Sequence, residues 1–323
     1  MAAERIFGRT GWRVGEIGLG CWQFGGAIVL DGKPDGWTDV DDVESVAAIH
    51  RALNLGINFF DTSDQYGWGR SEELLGRAIQ EARVRDRVYL ATKVGFDRDA
   101  ENRRTFVETR AGILEKCETS LRRLRTDRID LYQCHLWRTE RWAEFLDAFE
   151  QLQKQGKIRA YGVSTNDLDM VQRFDERRGL AAVQANYNLL DRRAEETLLP
   201  YCRARGIAFI ARGALAMGKL TGKYSPTSRF DANEIRSRWL ESPEARAAFE
   251  RDVAVAGRLK PIADKAGFTV AQLALKYVLT HVAVSVVIVG AKNRAQVEEN
   301  NAASLLPPLS RDELAAVRAA LAP

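Results

Sequence analysis

The chain has 323 residues, 46% hydrophobic and 28% charged, an ordinary composition for a soluble globular protein. A net charge of +4 with no basic block argues against nucleic acid as a partner. No apolar run approaches the roughly 20 residues of a membrane helix, and the start is too polar for a signal h-region. Three histidines argue against a multi-histidine metal site, and four cysteines without a CxxC pair read as reduced thiols. The expectation is a cytoplasmic protein with no metal, no membrane and no nucleic acid.

Glu4–Phe7 and Trp12–Val14 flank Gly8–Gly11 and predict a β-hairpin. After it, short apolar runs predict strands at Glu16–Gly20, Ile57–Phe60, Val88–Lys93, Ile129–His135, Ile158–Ser164, Ala182–Ala185, Ile207–Ala211 and Ala283–Val289. Between them, helical periodicity covers Asp41–Leu55, with Val43, Val46, Ala47, Ile49, His50 and Leu53 on one stripe. It also covers Thr105–Leu124, where Phe106, Ile113, Leu114, Cys117 and Leu121 align. Further helices are predicted over Ser71–Ala82, Trp142–Gln155, Ala194–Arg205 and Thr269–Thr280. Alternation of strand and helix implies parallel strands, and eight such units predict closure into an α/β (β/α)8 TIM barrel. With no linker or composition break, residues 1–323 read as one barrel domain with an N-terminal hairpin. The long segment Gly213–Pro243 after the seventh strand sits where ligand-binding loops belong.

Active sites of such barrels lie at the C-terminal ends of the strands. Asp61, Lys93 and His135 stand at such ends, and Tyr66 lies just beyond the second. Singly, each has an ordinary reading: a helix cap, a solvated strand end, a core histidine, a surface aromatic beside a turn. Together they describe a proton-transfer device. A free tyrosine, with a pKa near 10, is a poor acid at neutral pH; a buried ammonium beside it favours the phenolate and lowers that pKa. A carboxylate offsets the cost of burying the ammonium.

IGLGCWQFGG, FFDTSDQYGWGRSEELLG, LATKVG, DLYQCHLW, GKIRAYGVS, VQANYNLL, GKLTGKY and VIVGAKNRAQVEEN occur in that order along the chain. Through them the sequence resembles the aldo-keto reductase superfamily over nearly its whole length. Within that superfamily it resembles the potassium-channel β-subunit-like and general stress protein branches. The resemblance implies hydride transfer between a nicotinamide and a small-molecule carbonyl or alcohol. The family tetrad falls on Asp61, Tyr66, Lys93 and His135: Tyr66 as proton donor, Lys93 paired with Asp61 to tune it, His135 to orient substrate.

No GxGxxG follows a strand, so a Rossmann site is not the template. The resemblance implies a cofactor extended across the barrel mouth, touching Gly20, Cys21, Trp22 and Asp61 near the first two strands. Ser164 and Gln184 match positions that hold the nicotinamide carboxamide. The family often has Asn after the serine; here Thr165 and then Asn166 follow, and either is a candidate. Arg212 replaces the usual stacking aromatic and is open to three roles: stacking, substrate contact or pyrophosphate contact. Gly213, Leu215, Gly218, Lys223 and Arg229 belong to the implied pyrophosphate loop. Gly290 and Lys292 begin the implied adenosine end, with Gln296, Glu299 and Asn300 following. A helix N-terminus with a lysine beside it suits a 2′-phosphate, so NADP(H) is expected over NAD(H).

For the substrate, Trp22, Trp68 and Trp137 are candidate walls and Gln65 and Arg212 candidate polar edges, beside Tyr66 and His135. The polar stretch Asp31–Trp37 is expected to close over the mouth as a loop. Two other readings stand beside the reductase: a cofactor-binding regulatory subunit with little turnover, and an aldolase with Lys93 as Schiff base. A homo-oligomer is left open.

Overall fold

The computed structural model describes residues 3–321. Eight strands, Ile17–Gly20, Phe59–Asp61, Tyr89–Val94, Ile129–Cys134, Ile158–Ser164, Ala182–Asn186, Ala208–Arg212 and Val284–Gly290, form a closed parallel barrel. They pair in chain order, and the eighth closes on the first through Val287–Ile17 and Gly290–Gly20. Each strand lies within about two residues of its predicted run.

Period-two alternation sorts the strand residues into two layers. Phe59, Ala91, Leu131, Ala182, Ile210 and Val286 fill the barrel interior. Their outward neighbours Phe60, Leu90, Tyr132, Val183 and Val287 pack under the helices. One step further along, the same alternation carries Asp61, Lys93, Gln133 and Gln184 inward at the C-terminal mouth. The register pairs Asp61 with Ala91, Lys93 with Gln133, and Gln184 with Ser164.

The predicted N-terminal hairpin forms, Glu4–Phe7 against Trp12–Gly15. Its Phe7, Trp12 and Val14 are buried and plug the bottom of the barrel, with the Phe7 and Phe59 rings 5.3 Å apart.

Several local expectations change. Within Thr105–Leu124 the helix starts only at Arg110, where the Thr109 hydroxyl accepts from the Gly112 N–H as N-cap. Phe106 instead lies in a strand, Arg104–Phe106, paired antiparallel with Phe96–Arg98. It fits the helical stripe by coincidence and is 52% exposed. Val43 also leaves its stripe, at 75% exposed in the first turn of the helix Asp42–Asn54. The Ala194–Arg205 helix begins at Leu198, after a 3-10 turn at Arg193–Glu195. Asp31–Trp37 is not a plain loop: Ala27–Leu30 and Lys33–Gly36 form a two-stranded hairpin.

While the helix expected after the last strand forms over Arg294–Ala302, sequence periodicity missed the helices Leu168–Phe174, Pro243–Ala266 and Arg311–Ala320. The second carries clear start and stop signals: Ser242 caps it, Pro243 opens it and Gly267 closes it in the left-handed region. Among the described residues, no helix is long and apolar enough to cross a membrane. All four cysteines are buried free thiols.

Candidate active site

The turn after the second strand is fastened from several sides. Thr62 donates its backbone N–H to the Ala91 carbonyl and its hydroxyl to Ser71, and Ser71 donates to the Cys21 carbonyl. Gly25 and Gly67 then let two backbones touch. A Cβ on Gly67, whose φ is +60°, would sit 2.1 Å from the Gly25 carbonyl oxygen. A Cβ on Gly25 would sit 2.7 Å from the Gly67 nitrogen and the Tyr66 carbonyl carbon. Tyr66 is thereby held between these two contacts, over the mouth.

The four residues expected to act together do converge. The Lys93 ammonium is fully buried and donates to Asp61 Oδ1 at 2.6 Å, to the Thr62 carbonyl at 2.8 Å and to the Tyr66 hydroxyl at 3.2 Å. Asp61 Oδ2 accepts from Gln184 Nε2 at 2.7 Å and from Gln133 Nε2 at 3.1 Å. The Tyr66 and His135 rings meet edge to face, centroids 5.9 Å apart.

Burial alone would pull the Lys93 ammonium down, but Asp61, joined by Tyr66, more than offsets this and holds its pKa above the ordinary lysine value. Burial pushes the Tyr66 phenol up; Lys93 pulls it down and Asp61 adds to the rise. The net shift is upward, which corrects the expectation of a lowered value: the phenol loses more hydration than the ammonium returns. Burial, with Lys93, Arg212 and Arg104 nearby, holds His135 well below the usual histidine range, so the imidazole is neutral.

A cavity of about 990 Å³ runs from this cluster across the barrel mouth. It is lined at one end by Trp22, Gln65, Tyr66, His135 and Trp137, then by Ser164, Gln184, Arg212, Gly213, Leu215 and Gly218. At the far end stand Lys223, Gly290, Lys292, Gln296, Glu299 and Asn300. Gly20, Cys21 and Asp61 also reach it. Trp137 is 61% exposed and forms a rim.

Four candidates fall outside this cavity. Thr165 is buried and gives its hydroxyl to the Trp137 carbonyl at 2.8 Å. Asn166, the alternative, instead accepts from Arg212 Nη2 at 3.3 Å. Trp68 faces the Arg98 guanidinium, 4.6 Å above its ring, rather than the pocket. Arg229 folds back onto the Thr227 and Ser228 carbonyls of its own loop.

Other residues entered unannounced. Gln133 braces Asp61, and alternation from Leu131 along its strand would have found it. Phe96 and Arg104 wall the mouth from a hairpin of which only Thr105 and Phe106 fall within the predicted helical stretch, with Arg104 stacked 4.8 Å over Trp137. Trp37 is buried edge-on to Trp22, and Arg236 stacks 4.8 Å over it. These last contacts link elements far apart in sequence and leave no local signal.

The far end fits an extended anionic ligand. Lys223, Lys292 and Arg236 gather there; burial and then Arg236 lower both lysine pKa values, partly offset by Glu234, which pairs with Arg236. Lys292 Nζ donates to the Thr38 carbonyl at 2.8 Å. Gln23 Oε1 is buried with no partner among the described residues, and bare Gly290 lies against it; a Cβ there would meet that side chain at 2.1 Å. A polar cradle with cations at one end and an ammonium–phenol pair at the other suits a dinucleotide.

This barrel, with a buried Asp–Lys–Tyr cluster and a histidine at its mouth, places the protein in a class of nicotinamide-dependent oxidoreductases. The chain belongs to the Aldo/keto reductase family, whose profile matches residues 16–322. It is 35% identical to Aldo-keto reductase YhdN of Bacillus subtilis (strain 168), over 90% of this chain and 85% of that protein. It is 30% identical to the NADH-specific methylglyoxal reductase of Escherichia coli (strain K12), over 92% and 91%. Among solved structures, the glycerol dehydrogenase AKR11B4 of Gluconobacter oxydans superposes with a TM-score of 0.82 at 33% identity, covering 96% of this chain and 92% of that one. The holo form of aldo-keto reductase AKR11C1 from Bacillus halodurans gives 0.79 at 29% identity, over 99% and 96%.

Proposed function

We propose that the protein is an NADP(H)-dependent reductase interconverting a small aldehyde, ketone or keto-sugar and its alcohol, with Tyr66 as general acid and base. One observation carries the reading: a single buried ammonium, Lys93, bonds at once to Asp61 and to the Tyr66 hydroxyl within the cavity. The nicotinamide, when bound, supplies the hydride.

Tyr66 is protonated at neutral pH, as a free phenol would be, and burial pushes its pKa higher still. As it releases that proton to a substrate oxygen, the phenolate left behind accepts from the Lys93 ammonium, and Asp61 holds the ammonium in place. His135 orients the substrate oxygen against the phenol. Trp22, Phe96 and Trp137 wall the site against water.

Ser164 and Gln184 would hold the carboxamide. Gln184 gives Nε2 to Asp61 and Gln133, which leaves Oε1 to accept from an amide. Gly20, Cys21, Trp22, Arg212, Gly213, Leu215 and Gly218 would line the middle of the cofactor. Lys223 and Lys292 would neutralise the pyrophosphate and a 2′-phosphate, with Gln296, Glu299 and Asn300 around the adenosine. The lysine cluster favours NADP over NAD, although one relative is named for NADH. Relatives named for methylglyoxal and glycerol support a small polar substrate.

The test is Tyr66→Phe. Turnover falls by at least about two decades, the usual size of a general-acid contribution, while cofactor still quenches protein fluorescence with near-normal affinity. Near-normal turnover would overturn the assignment.

A further inference from the structure

Behind His135 runs a hydrogen-bonded chain that the four clustered residues do not include. Its Nδ1 lies 3.1 Å from Ser63 Oγ, and Ser63 Oγ lies 3.2 Å from Asp64 Oδ1. The Gln65 backbone N–H donates to the same hydroxyl at 3.3 Å. Ser63 and Asp64 are buried, and Asp64 Oδ2 has no hydrogen-bond partner among the described residues.

The hydroxyl has one proton and two lone pairs. Gln65 takes one lone pair, so Ser63 meets His135 and Asp64 with one proton and one lone pair. His135 is neutral and carries a single ring proton. Two arrangements satisfy Ser63 Oγ, His135 Nδ1 and Asp64 Oδ1 together. If Asp64 is a carboxylic acid, its O–H donates to Ser63, Ser63 donates to Nδ1, and the imidazole proton sits on Nε2. If Asp64 is a carboxylate, Ser63 donates to it, the imidazole proton sits on Nδ1 and donates to Ser63, and Nε2 is bare. The other arrangements set lone pair against lone pair or proton against proton, or place the acid proton on Asp64 Oδ2, which faces no acceptor among the described residues.

We propose that Ser63 and Asp64 are positioning residues that set the tautomer of His135: acid Asp64 keeps the proton on Nε2, and carboxylate Asp64 moves it to Nδ1. This rests on the reading of His135 as the group that orients the substrate oxygen, since only the Nε2–H form can donate to that oxygen when Nδ1 is held by Ser63. The protons balance: Asp64 gives one to solvent, and His135 keeps one but changes its site.

The charges facing Asp64 come from three elements. Glu72 repels it from the helix Arg70–Ala82, while Lys116 and Arg123 approach from the helix Arg110–Arg123. Tyr132, its own hydroxyl unpartnered, senses it from the fourth strand. Both cations have partners elsewhere, Lys116 with Asp97 at 2.8 Å and Arg123 with Glu72 at 3.4 Å. His135 in turn faces Lys93, Arg212 and Arg104. Burial, then Glu72, raises Asp64 to about 8, so the acid form holds at neutral pH and the change falls on the alkaline side.

The chain has three histidines, so long-range proton–nitrogen correlation on 15N-labelled protein without added ligand reads the tautomer directly. The expected result is an Nε2–H ring for His135 at pH 6.5 and an Nδ1–H ring at pH 9.5. Asp64→Asn, which cannot ionise, holds one tautomer across this range, and Ser63→Ala uncouples the ring from pH. In turnover, the wild type loses about tenfold per pH unit above roughly 8, as one ionisation requires, and Asp64→Asn lacks that limb. One tautomer at both pH values in the wild type, or a switch that persists in Asp64→Asn, overturns the proposal. Failure of Tyr66 as acid leaves the NMR result standing, so the two readings fall separately.

Discussion

Lys93→Met is the perturbation that isolates the ion pair at the barrel mouth. Methionine matches the length of the lysine stem and removes the ammonium, so packing changes little and charge changes by one. Asp61 then keeps its carboxylate in a fully enclosed site with only the Gln184 and Gln133 amides, at 2.7 and 3.1 Å, as donors. Thr62 and Tyr66 lose their Lys93 donor as well. Breaking a buried pair from one side costs about 3–5 kcal/mol, and two surviving neutral donors put the expectation near 3 kcal/mol. Removing the second charge relieves the defect. The variant Lys93→Met/Asp61→Asn should therefore regain at least about 1.5 kcal/mol relative to the sum of the single changes. Urea unfolding monitored by tryptophan fluorescence, compared at equal m-values, reads both numbers. A single-variant loss below about 1 kcal/mol, or strict additivity in the double, would refute a tightly coupled buried pair.

Two further expectations follow from the site. Lys292→Ala should weaken NADPH binding about tenfold or more and NADH binding less than about twofold, the size of one charge-assisted hydrogen bond; equal weakening in fluorescence titrations would leave the lysine only its Thr38 contact. Gly25→Ala should drive the Tyr66 turn off its seat, because its Cβ would meet backbone at 2.7 Å; kcat should fall about tenfold or more in a protein whose circular dichroism is intact, since small misplacements of a reacting group are costly, and an unchanged kcat refutes the role given to that contact.

The barrel was legible because its strands are short apolar runs separated by helical periodicity, a signal local enough to survive without tertiary contacts. It failed where tertiary pairing overrode the period. Phe106 fitted a helical stripe, yet its partner is Phe96 across a hairpin, and that pairing carries Arg104 to the mouth. The convergence of Asp61, Tyr66, Lys93 and His135 was legible from strand ends, but the sign of the Tyr66 shift was not. That sign depends on how much hydration each group loses, which only the packed site determines. Gln133 was within reach of the alternation rule. Trp37, Arg236 and the seat of Lys292 on Thr38 were not, because they join the residues just after the Lys33–Gly36 strand to segments more than 190 residues away.

The segment Asp61–Tyr66 serves two buried networks at once. Its first carboxylate points into the barrel and fixes Lys93 beneath Tyr66. Its second lies toward the helices, where Thr92, an outward neighbour of Lys93, gives its hydroxyl to Glu72 at 2.7 Å. Ser63 joins the two sides by reaching His135 and Asp64 together. A buried polar network is favourable only when every member is satisfied, and here most donors are fixed backbone or packed side chains. The freedom that remains is concentrated in a few protons: the Tyr66 phenol, the Ser63 hydroxyl, the Asp64 carboxyl and the His135 ring. That concentration explains the rigid construction of the turn, with glycines in backbone contact and Thr62 tied to Ser71. Moving the backbone would detach both networks together, whereas moving a proton changes one while leaving the other in place.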